Sequence, residues 1–147
     1  MVRKPMFAAR RSERGQALIE AALVIPVLLL VAFGVIMAGR VVHAKIAVQA
    51  AAREASREVA TATSESAGVS EAIQTAQSVA DGYGLSQEGL SVEIDANGFQ
   101  RGDTVTATVR YDVGLGDLPL LGHSGVSVTS SHSERIELYR SREAVHQ

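Results

Sequence analysis

The chain has 147 residues, 46% of them hydrophobic and 20% charged, with no cysteine and a formal net charge of -2. That length holds one domain beside a targeting or membrane segment, and the missing thiols exclude disulfides, cysteine chemistry and thiolate metal sites. The charge is uneven: five cations (Arg3, Lys4, Arg10, Arg11, Arg14) against the single Glu13 make the first fifteen residues net +4, and the acidic -6 that remains argues against a nucleic-acid partner.

After this basic stretch come Gly15, Gln16 and, four residues further, Glu20 at the mouth of an apolar run. Nineteen consecutive uncharged residues follow, from Ala21 to Gly39. About twenty residues at about 1.5 Å each match a hydrocarbon core of about 30 Å, so a transmembrane helix is predicted over 16–39. All five N-terminal cations precede the run. The positive-inside bias therefore places the N-terminus in the cytoplasm and Arg40 onward outside, with Arg40 and Lys45 as a weaker counter-signal. A secretory signal peptide is the bland alternative, but this run exceeds the usual apolar length and no clear small-x-small cleavage site follows it. The small residue at a plausible cut lies upstream, at Gly15, where cleavage sheds the leader and keeps the helix.

Pro26 cannot donate to the carbonyl of Ala22, which predicts a kink in the first third of the helix. Gly34 and Ala38 form a small-xxx-small pair that either admits a neighbouring helix closely or reflects ordinary membrane-helix composition. Glu20 is costly near hydrocarbon and asks for a partner, unless it snorkels to the cytoplasmic surface.

Val41 to Thr63 contains no proline or glycine and is rich in alanine, the strongest helix former, so the helix is predicted to continue outward over 40–63. A helix from about Gln16 to about Thr61 measures about 70 Å, more than twice the hydrocarbon thickness. Val42, Ile46, Gln49, Arg53 and Arg57 share one stripe of it. Val48, Ala51, Ala52, Ala55 and Val59 form a smooth apolar strip suited to packing. Glu54 and Arg57 are spaced for an i,i+3 pair worth at most a few tenths of a kcal/mol, and read first as a solvated helix face.

The small polar residues and Gly68 of Thr61–Ser70 predict a break, with Ser70 as N-cap of a short second helix that Asp81–Gly84 stops. From there the period changes to two. Leu90, Val92, Ile94 and Ala96 alternate with polar residues, as do Val105, Ala107, Val109, Tyr111 and Val113. Val126 and Val128 stand in register with Ile136 and Leu138, where Ser130–Glu134 leaves open one bulged strand or two. Asn97–Asp103 reads as a hairpin loop, and Gly114–Gly125 as an irregular excursion. The fold class is α+β: a long N-terminal helix, a short second helix and a small antiparallel sheet of about three to four strands packed on the helix, the outer domain spanning 64–147.

Little in the chain suggests catalysis. His43, His123, His132 and His146 are scattered without ligand spacing, so no metal or other cofactor is expected. Gly122-His123-Ser124-Gly125 fails the nucleophile-elbow pattern because Val126 stands where its last glycine belongs. Arg101-Gly102-Asp103 spells an adhesive tripeptide, yet glycine and aspartate are ordinary loop residues. No constellation supports an enzyme.

The leader ending at Arg14-Gly15, Glu20, the Glu20–Leu30 core with Pro26 and the downstream Ala51–Arg57 resemble the TadE-like pseudopilins of tight-adherence (Tad, Flp-type) pilus systems. The strand-rich half is compatible in character, and the motifs cover about residues 11–60. The resemblance implies a type IV pilin-like precursor in the bacterial inner membrane, cut by a prepilin peptidase after Gly15 so that residues 1–15 are removed and Gln16 becomes the first residue. Glu20, then the fifth, would meet the new N-terminal amine of a neighbouring subunit. Two unit charges about 4 Å apart attract by about 4 kcal/mol at an effective dielectric of about 20, which offsets a cost of about 3 kcal/mol for a charge on a membrane helix. Other pilin and pseudopilin subunits, the Tad inner-membrane platform and membrane lipid are the implied partners.

The chain departs from ordinary major pilins in starting its mature part with Gln16 and in carrying proline as early as Pro26. It is also far larger than the short Flp major subunit, which implies a minor pilin role in assembly or initiation and hence in adhesion and surface colonisation. A single-pass membrane-anchored extracellular interaction module is the alternative.

Overall fold

The computed structural model describes the backbone of residues 9–114 and 125–136, and side chains from residue 15 onward. Its elements are helix α1 (Ala9–Thr61), helix α2 (Glu65–Gly82), a 3₁₀ turn (Gln87–Gly89) and strands β1 (Leu90–Asp95), β2 (Thr104–Gly114) and β3 (Gly125–Arg135). The strands form one antiparallel sheet in the order β1-β2-β3. The predicted α+β layout is the one observed. The chain divides into two compact units at Ala38/Gly39.

The first unit contributes the apolar part of α1. The helix runs without interruption past Pro26, because a proline removes one hydrogen bond whereas the remaining ladder and the apolar side chains keep the others in place.

In the second unit the predicted apolar strip of α1 is the inner face. Val48, Ala51, Ala52, Ala55 and Val59 are fully buried, as is Ala47, while Val42, Ile46, Gln49, Arg53 and Arg57 are all exposed. Alanine at this density lets backbones approach closely, since each side chain adds only a methyl group to the contact. Ala72, Ala76 and Ala80 of α2 and Val105, Ala107 and Val109 of β2 complete the same core.

The turn between the helices corrects the predicted start of α2. Ser64, not Ser70, is the N-cap: its hydroxyl accepts from the Ala67 backbone amide, and Glu65 occupies the first turn. Ser70 instead sits inside the helix, where its hydroxyl donates to the Ala67 carbonyl. A serine within a helix finds an acceptor one turn back, so hydroxyl chemistry alone does not distinguish the two positions. What distinguishes them is Gly68, which is buried one turn into α2 where an added Cβ would run into Ala62. Gly68 therefore marks a close approach inside a helix and not a break.

The β1–β2 hairpin closes over Asn97 and Gly98, both with positive φ, and over Gly102 at φ 87°. Register then runs unbroken from Thr104↔Arg135 to Gly114↔Gly125. The open choice for the third run resolves to a single strand without a bulge. Ile136 continues the pairing, donating to the Asp103 carbonyl and accepting from the Gly102 amide. Leu138, the excursion over 115–124 and His146 lie outside the described residues.

Candidate functional site

Gly15, Gln16, Glu20 and Pro26 all lie on one face-to-solvent stretch of α1, each of them exposed. Among the described residues, its chain neighbours and the helix backbone aside, no heavy atom comes within 4 Å of where a Cβ on Gly15 would stand. Among the described residues Glu20 makes no hydrogen bond or ion pair. The carboxylate is thus presented on a rigid element, less than two turns after Gly15, with nothing among the described residues to neutralise it.

The surroundings of Glu20 are apolar and equally bare. Twelve of the fifteen exposed large hydrophobic residues among the described residues fall between Leu18 and Ile36, including Leu23 at 69% and Val35 at 67% exposure. Removing such a side chain from water is worth about 1.5–3 kcal/mol, so leaving a dozen in water would outweigh the roughly 5–15 kcal/mol that stabilises a whole domain. This helix needs an apolar solvent or apolar neighbours. α1 is long and apolar enough to cross a membrane, and none of its most apolar window is buried within the protein. The arrangement is compatible with a single-pass membrane anchor.

Gly34 and Gly39 also have open space on their Cα side. The smooth patch at Gly34 and Ala38 therefore remains available to another helix.

In the outer domain the histidines take separate places. His43 Nε2 donates to the Tyr83 carbonyl at 2.8 Å, its ring edge-on to the tyrosine at 6.1 Å between centroids. His132 Nε2 lies 3.7 Å from Glu134 Oε2. Among the described residues no group of three or more His, Asp or Glu side chains is placed to hold a metal ion. In the Arg101-Gly102-Asp103 loop the Asp103 carboxylate accepts the Gln100 amide at 3.0 Å, an interaction that shapes the turn. The Glu54–Arg57 pair does not form: neither side chain makes an ion pair among the described residues.

One grouping was not read from the sequence. Arg53 and Arg57 of α1 line an open-sided cleft of about 370 Å³ together with Glu54 of α1 and His132, Glu134 and Arg135 of β3. The available signal was parity. Ser130, His132 and Glu134 continue the same alternation as Val126 and Val128, so the inward-facing edge of β3 turns polar halfway along.

Neither a search of curated proteins nor one of solved structures finds a match. Comparison with family models does: the match starts at Gly15 and covers under a third of the chain. Residues 15–57, from the glycine before the apolar run to the exposed Arg57, match the family described as TadE-like protein, so α1 carries a TadE-like segment.

Proposed function

We propose that the chain is a minor pilin, or pseudopilin, of a Tad-type pilus and that its part is structural, not catalytic. Residues 1–15 act as a leader removed by a prepilin peptidase, and residues 16–39 hold the product in the inner membrane with the rest of the chain outside. The observation that carries the reading is Glu20, without a partner among the described residues and exposed on a continuous helix five residues after Gly15, within a TadE-like match that begins at that same glycine. A carboxylate so placed gains most from a cation brought by another molecule, and cleavage after Gly15 creates one in the Gln16 α-amine. Pairing of Glu20 with the amine of a neighbouring subunit then restricts assembly to processed chains. Pro26 leaves the Ala22 carbonyl without its helical donor and supplies a point where the helix can bend during packing.

Intact-mass and N-terminal sequencing of the membrane-bound protein tests this directly. The expected N-terminus is Gln16 in cells with an active prepilin peptidase and Met1 without one. An uncleaved Met1 in both backgrounds sinks the proposal.

A further inference from the structure

The cleft between α1 and β3 lies at the edge of the core. Where β3 faces α1 at its Val128 end the contact is apolar, but at its Glu134 end both sides are charged. Arg53 and Arg57 stand one helical turn apart, with His132 and Glu134 of β3 lining the other side. Neither of these two guanidinium groups makes a hydrogen bond or ion pair among the described residues. In a chain of net charge -2 with two carboxylates lining the same cleft, two guanidiniums without a partner among the described residues are a conspicuous arrangement. Guanidinium presents a planar fork of donors that matches an oxyanion in two parallel hydrogen bonds.

The carboxylates refine the ligand. Among the described residues Glu54 has no partner, and Glu134 has its 3.7 Å approach to His132 alone. A site for a bare polyanion gains nothing from two acceptor-only groups in its wall. A ligand that combines an oxyanion with hydroxyl groups uses both kinds of side chain: the arginines take the anion, and the glutamates accept from the hydroxyls. A volume of about 370 Å³ lies in the range of small-ligand sites, about 300–1,000 Å³. We propose that this cleft binds a carboxylated sugar, a uronic acid unit presented free or within an acidic polysaccharide. The site stands on the outer domain alone and holds whether or not the chain is a pilus subunit.

Calorimetric titration of the full chain in detergent micelles tests the proposal, with galacturonate and oligogalacturonate as ligands and malto-oligosaccharide and poly-glutamate as comparisons. Binding of the uronates is expected, with the monomer and the oligomer separating a free sugar acid from a polymer as the source. Neutral malto-oligosaccharide is expected to bind at least about tenfold more weakly. The exposed double change Arg53→Gln/Arg57→Gln should weaken uronate binding by about tenfold or more, whereas Arg110→Gln, on the opposite face of the sheet, should leave it unchanged. Glu54→Gln decides between two kinds of site. Loss of a negative charge tightens binding if the cleft is a simple anion trap, and weakens it if the glutamate accepts sugar hydroxyls. No uronate binding, tighter binding in Glu54→Gln, equal binding of poly-glutamate, or binding unaffected by the arginine changes would each overturn the proposal.

Discussion

Gly68 of α2 packs against Ala62 so closely that a methyl group on the glycine would occupy the space of the Ala62 side chain. The helices leave each other through the short turn of Ala62–Ser64, and Gly68 is where α2 comes back into contact with the end of α1, its absent side chain facing Val59 and Ala62. Gly68→Ala sets two effects against each other. Helix propensity favours alanine by about 1 kcal/mol, while overpacking costs about 1–3 kcal/mol, and backbone atoms of Val59 behind Ala62 leave little room to yield. The substitution is expected to lower thermal stability of the outer domain, followed by circular dichroism; a raised midpoint would show that the turn gives way freely.

Ser56 is a fully buried polar residue in the alanine face of α1, and its hydroxyl donates to the Arg53 carbonyl at 2.9 Å. That carbonyl belongs to the helix ladder and keeps an amide donor without the serine. Ser56→Ala should therefore change stability by no more than about 0.5 kcal/mol. Ser56→Leu should cost about 1–3 kcal/mol through overpacking. Chemical denaturation of the two variants side by side checks the order.

The Lys45 ammonium donates to the Thr129 carbonyl on the open edge of β3. A lysine over an edge strand covers a backbone acceptor and discourages pairing with another sheet. Lys45→Ala is expected to lose about 1 kcal/mol of stability and to increase self-association at high protein concentration, read by sedimentation velocity. An unchanged sedimentation profile would remove the guarding role.

Glu20→Leu should leave membrane insertion intact, since the change makes the segment more apolar, and should abolish incorporation into pili. Glu20→Asp keeps the charge on a side chain shorter by one methylene and should give partial incorporation. Immunodetection of the protein in sheared pilus fractions against membrane fractions measures both. Normal incorporation of the leucine variant would end the pairing role.

Much of the fold was legible because each element carries its own period. The buried and exposed stripes of α1 were separable residue by residue, from Val48–Val59 on one side and Val42–Arg57 on the other. Helical geometry alone dictates which side chains share a face. The alternation in β1 and β2 was equally readable, down to the half-buried Leu90, Val92 and Ile94. The start of α2 was misread because Gly68 looks the same in sequence whether it ends a helix or lets two helices touch. Only the contact with Ala62 tells them apart.

For the candidate sites the division follows distance along the chain. Gly15, Gln16, Glu20 and Pro26 are neighbours on one helix, and their spacing and apolar setting are local properties that composition and helical rise determine by themselves. The charged cleft is different. Arg53 and Arg57 read as a solvated helix stripe and His132 and Glu134 as scattered polar residues of a strand. Antiparallel pairing of β2 with β3, in the register that sets His132 opposite Ala107 and Glu134 opposite Val105, carries the polar half of β3 to the end of α1. That meeting was decided by tertiary structure, because a one-residue slip of register would have turned the same side chains to the opposite face of the sheet.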